Sequence, residues 1–334
     1  MPETVAVELD GQYRQLKEEC GLLDRSDRGK LLVRGAEAAE YLQGQLTNDV
    51  EGLEAGEGCY AALLDRKGHM RSDMRVLNCS AAPYGPVGST RRSGAPEEQA
   101  IWLDTEPEPL AVVRRHLETY KIGRDVEVED LTEELAILSL IGPRGAEIAG
   151  APPLPEFACE PLSVGGVECV AVGTREGIDL IVASADAGRA RAALLDAGAA
   201  EVSAEAAEIL RVESGAPRFG AEMDASTMPA EAGIVEAAVD FEKGCYVGQE
   251  TVARLHYRGK PNRQLRGLRL SAPVPMGVPL VLDGKQVGAV AGSCVSPALG
   301  PIALAVLRRE AEPGAELAVG EDGVTARVVD LPFL

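Results

Sequence analysis

Strands and short helices alternate irregularly in the first 260 residues, and several strand candidates follow one another directly. Residues 30–35 form a short apolar run that ends at glycine, and residues 59–65 and 73–78 form two further strand candidates. Leu110–Tyr120 has apolar residues at helical spacing. A doubly wound parallel sheet requires regular strand–helix alternation, so this pattern predicts an α+β fold with antiparallel sheets.

The pattern changes near residue 265, where short strands are separated by Gly and Pro turns without a helical period. This predicts a small all-β barrel of roughly 70 residues. We therefore expect an α+β region of two sub-domains at 1–260 and a C-terminal barrel at 261–334. Residues 79–100 are rich in Pro, Gly, Ser and Ala and have no periodicity, which predicts a mobile surface insertion.

The charge balance limits the classes of ligand. The chain has 33 basic and 53 acidic residues, a formal net charge of −20, which argues against sequence-independent binding to phosphate backbones. Aromatic residues make up only 4%, which disfavours a surface of stacked bases. The glycine-rich signatures of nucleotide-binding loops are also missing.

The cysteines and the apolar runs predict a cytoplasmic protein. Seven cysteines at long spacings fit reduced thiols better than a disulfide framework. With three histidines and no CxxC pair, a dedicated zinc site is not expected. The N-terminus has no basic region followed by an apolar core, and no apolar run approaches the roughly 20 residues of a membrane helix.

The densest functional signal lies in residues 210–259. A predicted helix ends at Gly215, which places the Glu213 carboxylate at the negative end of the helix dipole, where it needs another partner. The two neighbouring N–H donors of a pterin edge would suit a carboxylate, which accepts both at once. The alternative is an ion pair with Arg211 or Arg218.

Residues 243–250 read Lys-Gly-Cys-Tyr-Val-Gly-Gln-Glu. Glycines on either side of Cys245 permit a tight loop that presents its thiol and lets the backbone approach a ligand closely. Lys243 favours the thiolate if the loop brings the two charges together. The alternative is an inert buried cysteine.

Residues 251–282 contain no acidic residue and six basic ones, which are Arg254, Arg258, Lys260, Arg263, Arg266 and Arg269. A basic island on an acidic protein can steer a single anionic ligand, such as a glutamate tail, a phosphate or one RNA segment. The alternative is that these side chains pair with surface carboxylates.

Residues 243–250 resemble the YgfZ-type folate-binding proteins, a group of the glycine-cleavage T-protein (aminomethyltransferase) superfamily linked to iron–sulfur cluster maturation and tRNA modification. The group's motif K-G-C-[YF]-x-G-Q-E is matched in full. Residues 46–50 and 60–65 are similar to the superfamily's N-terminal segment, and residues 210–215 to its L-R-x-E-x-G element. The resemblance covers nearly the whole chain and implies a three-part ring around a central folate channel.

The resemblance implies roles for individual residues. Glu213 aligns with the glutamate that anchors the pterin of tetrahydrofolate, and Asp73 lies where aminomethyltransferases carry an Asp-Asp pair beside the folate. Ser72 replaces the other carboxylate of this pair, which weighs against the transfer reaction. Tyr60 borders the same pocket.

Three further positions complete the implied site. Lys243 and Arg254 are assigned to the folate-contacting residues. Cys245 matches the cysteine that distinguishes YgfZ-type members from the transferases, and it is assigned a chemical role together with Asp73.

These residues support three functions. The first is a tetrahydrofolate-binding accessory protein for iron–sulfur cluster assembly or repair and for iron–sulfur-dependent tRNA modification, with iron–sulfur enzymes or assembly proteins as partners. The second is a tetrahydrofolate-dependent aminomethyltransferase or related one-carbon transferase that uses Asp73 for acid–base catalysis. The third is a tRNA-binding protein that uses the basic island. The motif favours the first.

Overall fold

The structure is a computed structural model that describes residues 3–79 and 99–333. In these residues the helices are α1 (Glu3–Glu18), α2 (Ala38–Gln45), α3 (Leu110–Tyr120), α4 (Gly145–Ala149), α5 (Ala187–Asp196), α6 (Ala204–Ser214), α7 (Pro229–Ala232), α8 (Val235–Ala238) and α9 (Gln249–Arg258). The strands are β1 (Gly21–Asp24), β2 (Gly29–Gly35), β3 (Gly58–Leu64), β4 (Met70–Asn78), β5 (Gln99–Thr105), β6 (Glu127–Asp130), β7 (Leu135–Ile141), β8 (Cys159–Val164), β9 (Val167–Thr174), β10 (Gly177–Ala183), β11 (Ala200–Glu201), β12 (Arg263–Leu270), β13 (Pro279–Leu282), β14 (Lys285–Ala289), β15 (Gly292–Ser296), β16 (Gly300–Arg308), β17 (Glu316–Val319) and β18 (Val324–Val329).

The first sheet has five antiparallel strands in the order β3-β4-β5-β2-β6. Successive side chains of a strand point to opposite faces. On β4, Met74 and Val76 belong to the apolar cluster that includes α2 and α3. Asp73 and Arg75 therefore lie on the opposite face, which carries the candidate site.

The second sheet has six strands in the order β11-β1-β7-β10-β9-β8, antiparallel except for the parallel pair β1–β11. Leu138 and Leu180 belong to the cluster that α4 and α5 cover. Leu23, Ser139 and Asp179 are direct cross-strand neighbours, so they share the other face.

The two sheets pack through an apolar layer. Leu32, Leu77 and Trp102 of the first sheet form one buried cluster with Ile137 and Val170 of the second. Burial of apolar surface contributes about 25 cal/mol for each Å², so this layer stabilises the contact between the sheets. The polar faces of β4 and β10 thereby come together.

The third sheet lies in the C-terminal part and has seven antiparallel strands in the order β14-β13-β17-β18-β12-β16-β15. It begins at Arg263, just after the predicted division between residues 260 and 261, and curls around a core that includes Leu268, Leu280 and Leu317. The predicted α+β fold with a C-terminal antiparallel barrel is confirmed.

Two of the longer helices, α1 and α9, were not predicted from the sequence. In α1, Leu9, Tyr13 and Leu16 follow the i, i+4, i+7 spacing and pack into one cluster, so its periodicity was available as a signal. In α9 only Val252 is buried, but the helix is amphipathic, so its pattern was also available as a signal.

The predicted insertion at 79–100 lies almost entirely outside the described residues, which omit 80–98. The described residues that flank this segment are Cys79, which is buried, and Gln99, where β5 begins. Within the described parts of the chain, every helix is too short or too polar to cross a membrane.

Candidate active site

Asp73 and Tyr60 form the centre of the candidate site. Asp73 pairs with Ala62 across β3 and β4, and Tyr60 precedes Ala62 by two residues on the same face. The Tyr60 hydroxyl donates a hydrogen bond to Asp73 Oδ2 over 2.6 Å. Asp73 Oδ1 is buried and has no hydrogen-bond partner among the described residues. Buried polar atoms are nearly always paired, so Oδ1 is available to a donor on a ligand.

The surroundings of Asp73 favour proton exchange near neutral pH. Burial raises the pKa of Asp73 to about 6, although the Tyr60 hydrogen bond and the Arg28 guanidinium lower it. Burial and the adjacent carboxylate raise the pKa of Tyr60 well above its usual value, so this hydroxyl remains a donor. Asp73 is thus the member of the pair suited to acid–base chemistry.

A buried ionic layer lies beside Asp73. Asp104 accepts hydrogen bonds from Arg28 Nε and Arg75 Nε, each over 2.6 Å. Arg75 Nη1 also donates to Asp179 Oδ2 of the second sheet over 2.6 Å. Burial opposes ionisation of Asp104, but the two guanidiniums lower its pKa below the usual value. Arg75 therefore fixes the two sheets relative to each other at the level of the site.

Glu213 is buried near the C-terminal end of α6 and is bound by two hydroxyl groups. The Tyr13 hydroxyl donates to both carboxylate oxygens, at 3.0 and 3.2 Å, and Ser296 Oγ lies 2.5 Å from Oε1. The backbone N–H groups of Ala298 and Leu299 donate to Ser296 Oγ, so its proton is directed to Glu213. Two donors serve one carboxylate, which leaves lone pairs of Oε2 for further donors.

The alternative in which Glu213 pairs with an arginine is wrong. Arg211 instead binds Glu208 at 2.7 Å and Glu222 at 2.9 Å. Arg218 lies 3.5 Å from Glu208. The expected helix end is confirmed, because Gly215 adopts φ +73° at the cap of α6.

Neighbours of Glu213 and of Asp73 contact the same face of the second sheet. Asp73 reaches that face through the strand it shares with Arg75, which binds Asp179. Tyr13, the partner of Glu213, lies in a cluster with Leu23, the cross-strand neighbour of Ser139. The two carboxylates come from different elements, β4 and α6, and each is linked to this face through a neighbouring residue.

Lys243 is committed to the backbone. Its ammonium donates to the carbonyl oxygens of Gln43, Leu46 and Asn48, each over 2.7 Å. An ammonium has three donors, and these bonds use all three. The bonds tie the motif to the end of α2, while the assignment of Lys243 as a folate contact stays a prediction.

Other motif residues also have structural contacts. Gly248 adopts φ +87°, and a Cβ there would lie 2.5 Å from the carbonyl oxygen of Asp65, so only glycine fits against the β3–β4 turn. The Gln249 side chain accepts a hydrogen bond from the Tyr246 backbone at 3.1 Å.

Cys245 is exposed, so the alternative of a buried cysteine is wrong.

Arg254 lies on α9, which begins directly after the motif, and its side chain is exposed. Val252 anchors this helix in the cluster that contains Ala62 and Leu64. The segment that carries Cys245 and Arg254 therefore covers the strand pair of Tyr60 and Asp73.

Pairing accounts for part of the basic island. Arg263 binds Glu231 at 2.9 Å, and Arg266 lies 3.9 Å from Asp330. Arg254 and Arg258 both lie on α9, and their side chains are exposed.

Ser72 lies on the opposite face of β4 from Asp73. Its hydroxyl contacts Thr105 Oγ1 at 2.7 Å and is buried. Consecutive strand residues point apart, so a carboxylate at position 72 would not lie beside Oδ1 of Asp73. The substitution therefore leaves the surroundings of Asp73 Oδ1 intact.

Several contributors to the site were not predicted, among them Tyr13, Arg28 and Ser296. Tyr13 belongs to the apolar stripe of α1, which could have revealed it. Arg28 lies just before β2, and Ser296 ends β15. Their partners, Asp104 and Glu213, are distant in the sequence, so no local pattern indicates these contacts.

Comparison with known proteins identifies the class. The GCVT N-terminal domain matches residues 4–243, and the glycine cleavage T-protein C-terminal barrel domain matches residues 263–334. The chain therefore belongs to the glycine cleavage T-protein family. Members of its aminomethyltransferase group use tetrahydrofolate.

Individual relatives agree with this assignment. An aminomethyltransferase of Rubrobacter xylanophilus is 30% identical over 97% of this chain and 86% of its own length. One from Parasynechococcus marenigrum is 29% identical over 96% of this chain and 89% of its own length. The crystal structure of glycine cleavage system aminomethyltransferase T from Bartonella henselae superposes with a TM-score of 0.83 at 22% identity, covering 98% of this chain and 89% of that one.

Proposed function

We propose that this protein is a tetrahydrofolate-dependent aminomethyl or related one-carbon transferase. The observation that carries the proposal is Asp73, whose Oδ1 is buried without a partner among the described residues and whose pKa lies at about 6. A carboxylate with that pKa is ionised at pH 7 and can still take and return a proton. The names of the relatives support the same reaction.

The site residues have two roles in this proposal, which are orientation of the ligand and proton transfer. Tetrahydrofolate supplies the nitrogen that receives the one-carbon unit. Asp73 Oδ1 would accept a hydrogen bond from that nitrogen and would take its proton as the one-carbon unit is transferred. Tyr60 holds Oδ2 and so orients the carboxylate. Glu213 would accept hydrogen bonds from two neighbouring N–H groups of the pterin, and the exposed Arg254 would bind the anionic glutamate tail.

The direct test is ammonia release from a lipoyl carrier protein that bears an aminomethyl group. We expect release that depends on tetrahydrofolate and falls at least about 100-fold in Asp73→Asn, the usual scale for a lost acid–base group. Asp196→Asn, at an exposed carboxylate at the end of α5, is the matched control and keeps full activity. No ammonia from a protein that binds tetrahydrofolate in calorimetry would exclude the aminomethyl transfer.

The second candidate is a folate-binding accessory protein of the YgfZ type, which serves iron–sulfur enzymes and iron–sulfur-dependent tRNA modification. The observation that favours it is the exposed Cys245, in a motif whose other contacts hold the loop in place. Clusters usually need about four thiolates, so Cys245 would act transiently or with ligands from a partner. We expect this role in the cytoplasm, where thiols are kept reduced.

A deletion strain distinguishes the two candidates. For the accessory role we expect lost iron–sulfur enzyme activity, restored by the wild type and by Cys294→Ala but not by Cys245→Ala. Restoration by Cys245→Ala would show that the thiol is not needed for this role. Normal iron–sulfur activity in the deletion strain would remove this candidate and leave the transferase.

A further inference from the structure

Cys79 and Cys159 lie side by side where the two N-terminal sheets meet. Their Sγ atoms are 3.0 Å apart, and the residues are 4% and 6% exposed. Cys79 follows β4 of the first sheet directly, and Cys159 begins β8 of the second. A disulfide has an S–S length of about 2.05 Å, so a movement of about 1 Å would join them.

The backbone on both sides holds this arrangement. The N–H of Gly56 donates to the carbonyl of Asn78, and the N–H of Cys159 donates to the carbonyl of Gly56, each over 2.8 Å. Residue 56 thus links the end of β4 to the start of β8. The thiols also belong to the apolar layer with Trp102, where packing restricts their movement.

The two thiols are electronically unequal. The hydrogen bond from Cys79 lowers the pKa of Cys159, whereas that bond and burial raise the pKa of Cys79. The thiolate is the nucleophilic form, so Cys159 is the thiol better suited to attack an oxidant.

We propose that Cys79 and Cys159 form a dithiol site that a peroxide converts to a disulfide. Cys159 attacks one peroxide oxygen, and the O–O bond breaks. One water is released, and a sulfenic acid remains on Cys159. Cys79 then attacks that sulfur, the S–S bond forms, and a second water leaves. Two thiols are oxidised, and one hydrogen peroxide is reduced to two waters.

The disulfide would join the two sheets covalently. The residues are 80 positions apart, and closing so long a loop reduces the conformational freedom of the unfolded chain. Oxidation therefore raises the melting temperature. The inference does not depend on the reaction proposed above, because it concerns groups that take no part in that reaction.

The experiment uses the full chain with Cys245→Ser, which removes the exposed thiol and prevents cross-linking between molecules. Native protein is treated with hydrogen peroxide, quenched, alkylated after unfolding and digested for mass spectrometry. We expect a linked peptide pair with Cys79 and Cys159, about 2 Da lighter than the sum of the reduced peptides. We also expect a higher melting temperature, reversed by dithiothreitol.

Cys159→Ala removes the linked peptide and the thermal shift, whereas Cys169→Ala, which is equally buried at 6% on the neighbouring strand, keeps both. Sulfoxide at Met276, which is 65% exposed, reports that the oxidant acted. The proposal would be overturned if Cys79 and Cys159 are both recovered alkylated from a sample in which Met276 is oxidised. A disulfide that joins either of them to another cysteine would also overturn it. If Cys159→Ala does not fold, the peptide map of the parent protein still separates these outcomes.

Discussion

Tyr60 binds only one of the two carboxylate oxygens of Asp73. Its hydroxyl lies 2.6 Å from Oδ2, while Oδ1 is buried without a partner among the described residues. One oxygen is thus fixed by the protein, and the other remains available for chemistry. This asymmetry gives the carboxylate a defined orientation before any ligand arrives.

The pH dependence of the reaction follows from Asp73. A base with a pKa of about 6 loses its charge below that pH, so kcat/KM falls about tenfold per pH unit on the acid side. The Tyr60 hydrogen bond lowers the pKa of Asp73, and Tyr60→Phe removes it. We therefore expect the acid limb of the kcat/KM profile to move to higher pH in Tyr60→Phe. A limb that stays in place would show that another group titrates.

Tyr13 orients Glu213, and its removal affects both stability and binding. Tyr13→Phe leaves a buried carboxylate with one donor fewer, which costs about 1–3 kcal/mol in the free energy of unfolding. We also expect weaker binding of tetrahydrofolate in calorimetry. Tyr120→Phe, at a tyrosine that is 52% exposed, is the control and leaves both quantities unchanged. Unchanged affinity in a destabilised Tyr13→Phe would limit Tyr13 to a structural role.

Arg75 joins the two N-terminal sheets, and Arg75→Met breaks the bridge. Asp104 keeps Arg28, but Asp179 loses the guanidinium, and an uncompensated buried charge typically costs about 3–5 kcal/mol. Denaturant unfolding measures this loss. The exposed pair Arg189–Asp186 is the control, since Arg189→Met costs about 1 kcal/mol or less. Equal losses in the two variants would contradict the structural importance of the bridge.

The variant Lys243→Met distinguishes a structural role of the motif from a role in ligand binding. Lys243→Met leaves three backbone carbonyls near the end of α2 without their donor, and we expect a loss of about 2–3 kcal/mol in unfolding free energy. Lys67→Met, at an exposed lysine in the β3–β4 turn, is the control and costs little. Full stability together with a raised tetrahydrofolate Kd would instead identify Lys243 as a ligand contact.

Local patterns were sufficient for much of the fold. Alternating apolar residues located the strand pair that carries Tyr60 and Asp73, and glycines around Cys245 indicated an exposed loop. The partners of Glu213 were not predictable, because Tyr13 and Ser296 are distant in sequence and hydroxyl groups have no periodic signature. The position of Arg75 between Asp104 and Asp179 depends on how two sheets pack, which no single segment encodes.

The surroundings of Glu213 set an order for biosynthesis. One of its hydroxyl donors, Tyr13, comes 200 residues earlier in the chain, and the other, Ser296, comes 83 residues later. A ribosome therefore exposes α1 first and α6 next, and the carboxylate acquires its second donor only after β15 has been translated. Truncated products that end within the barrel before β15 carry every residue of the motif and still lack a finished pocket at Glu213.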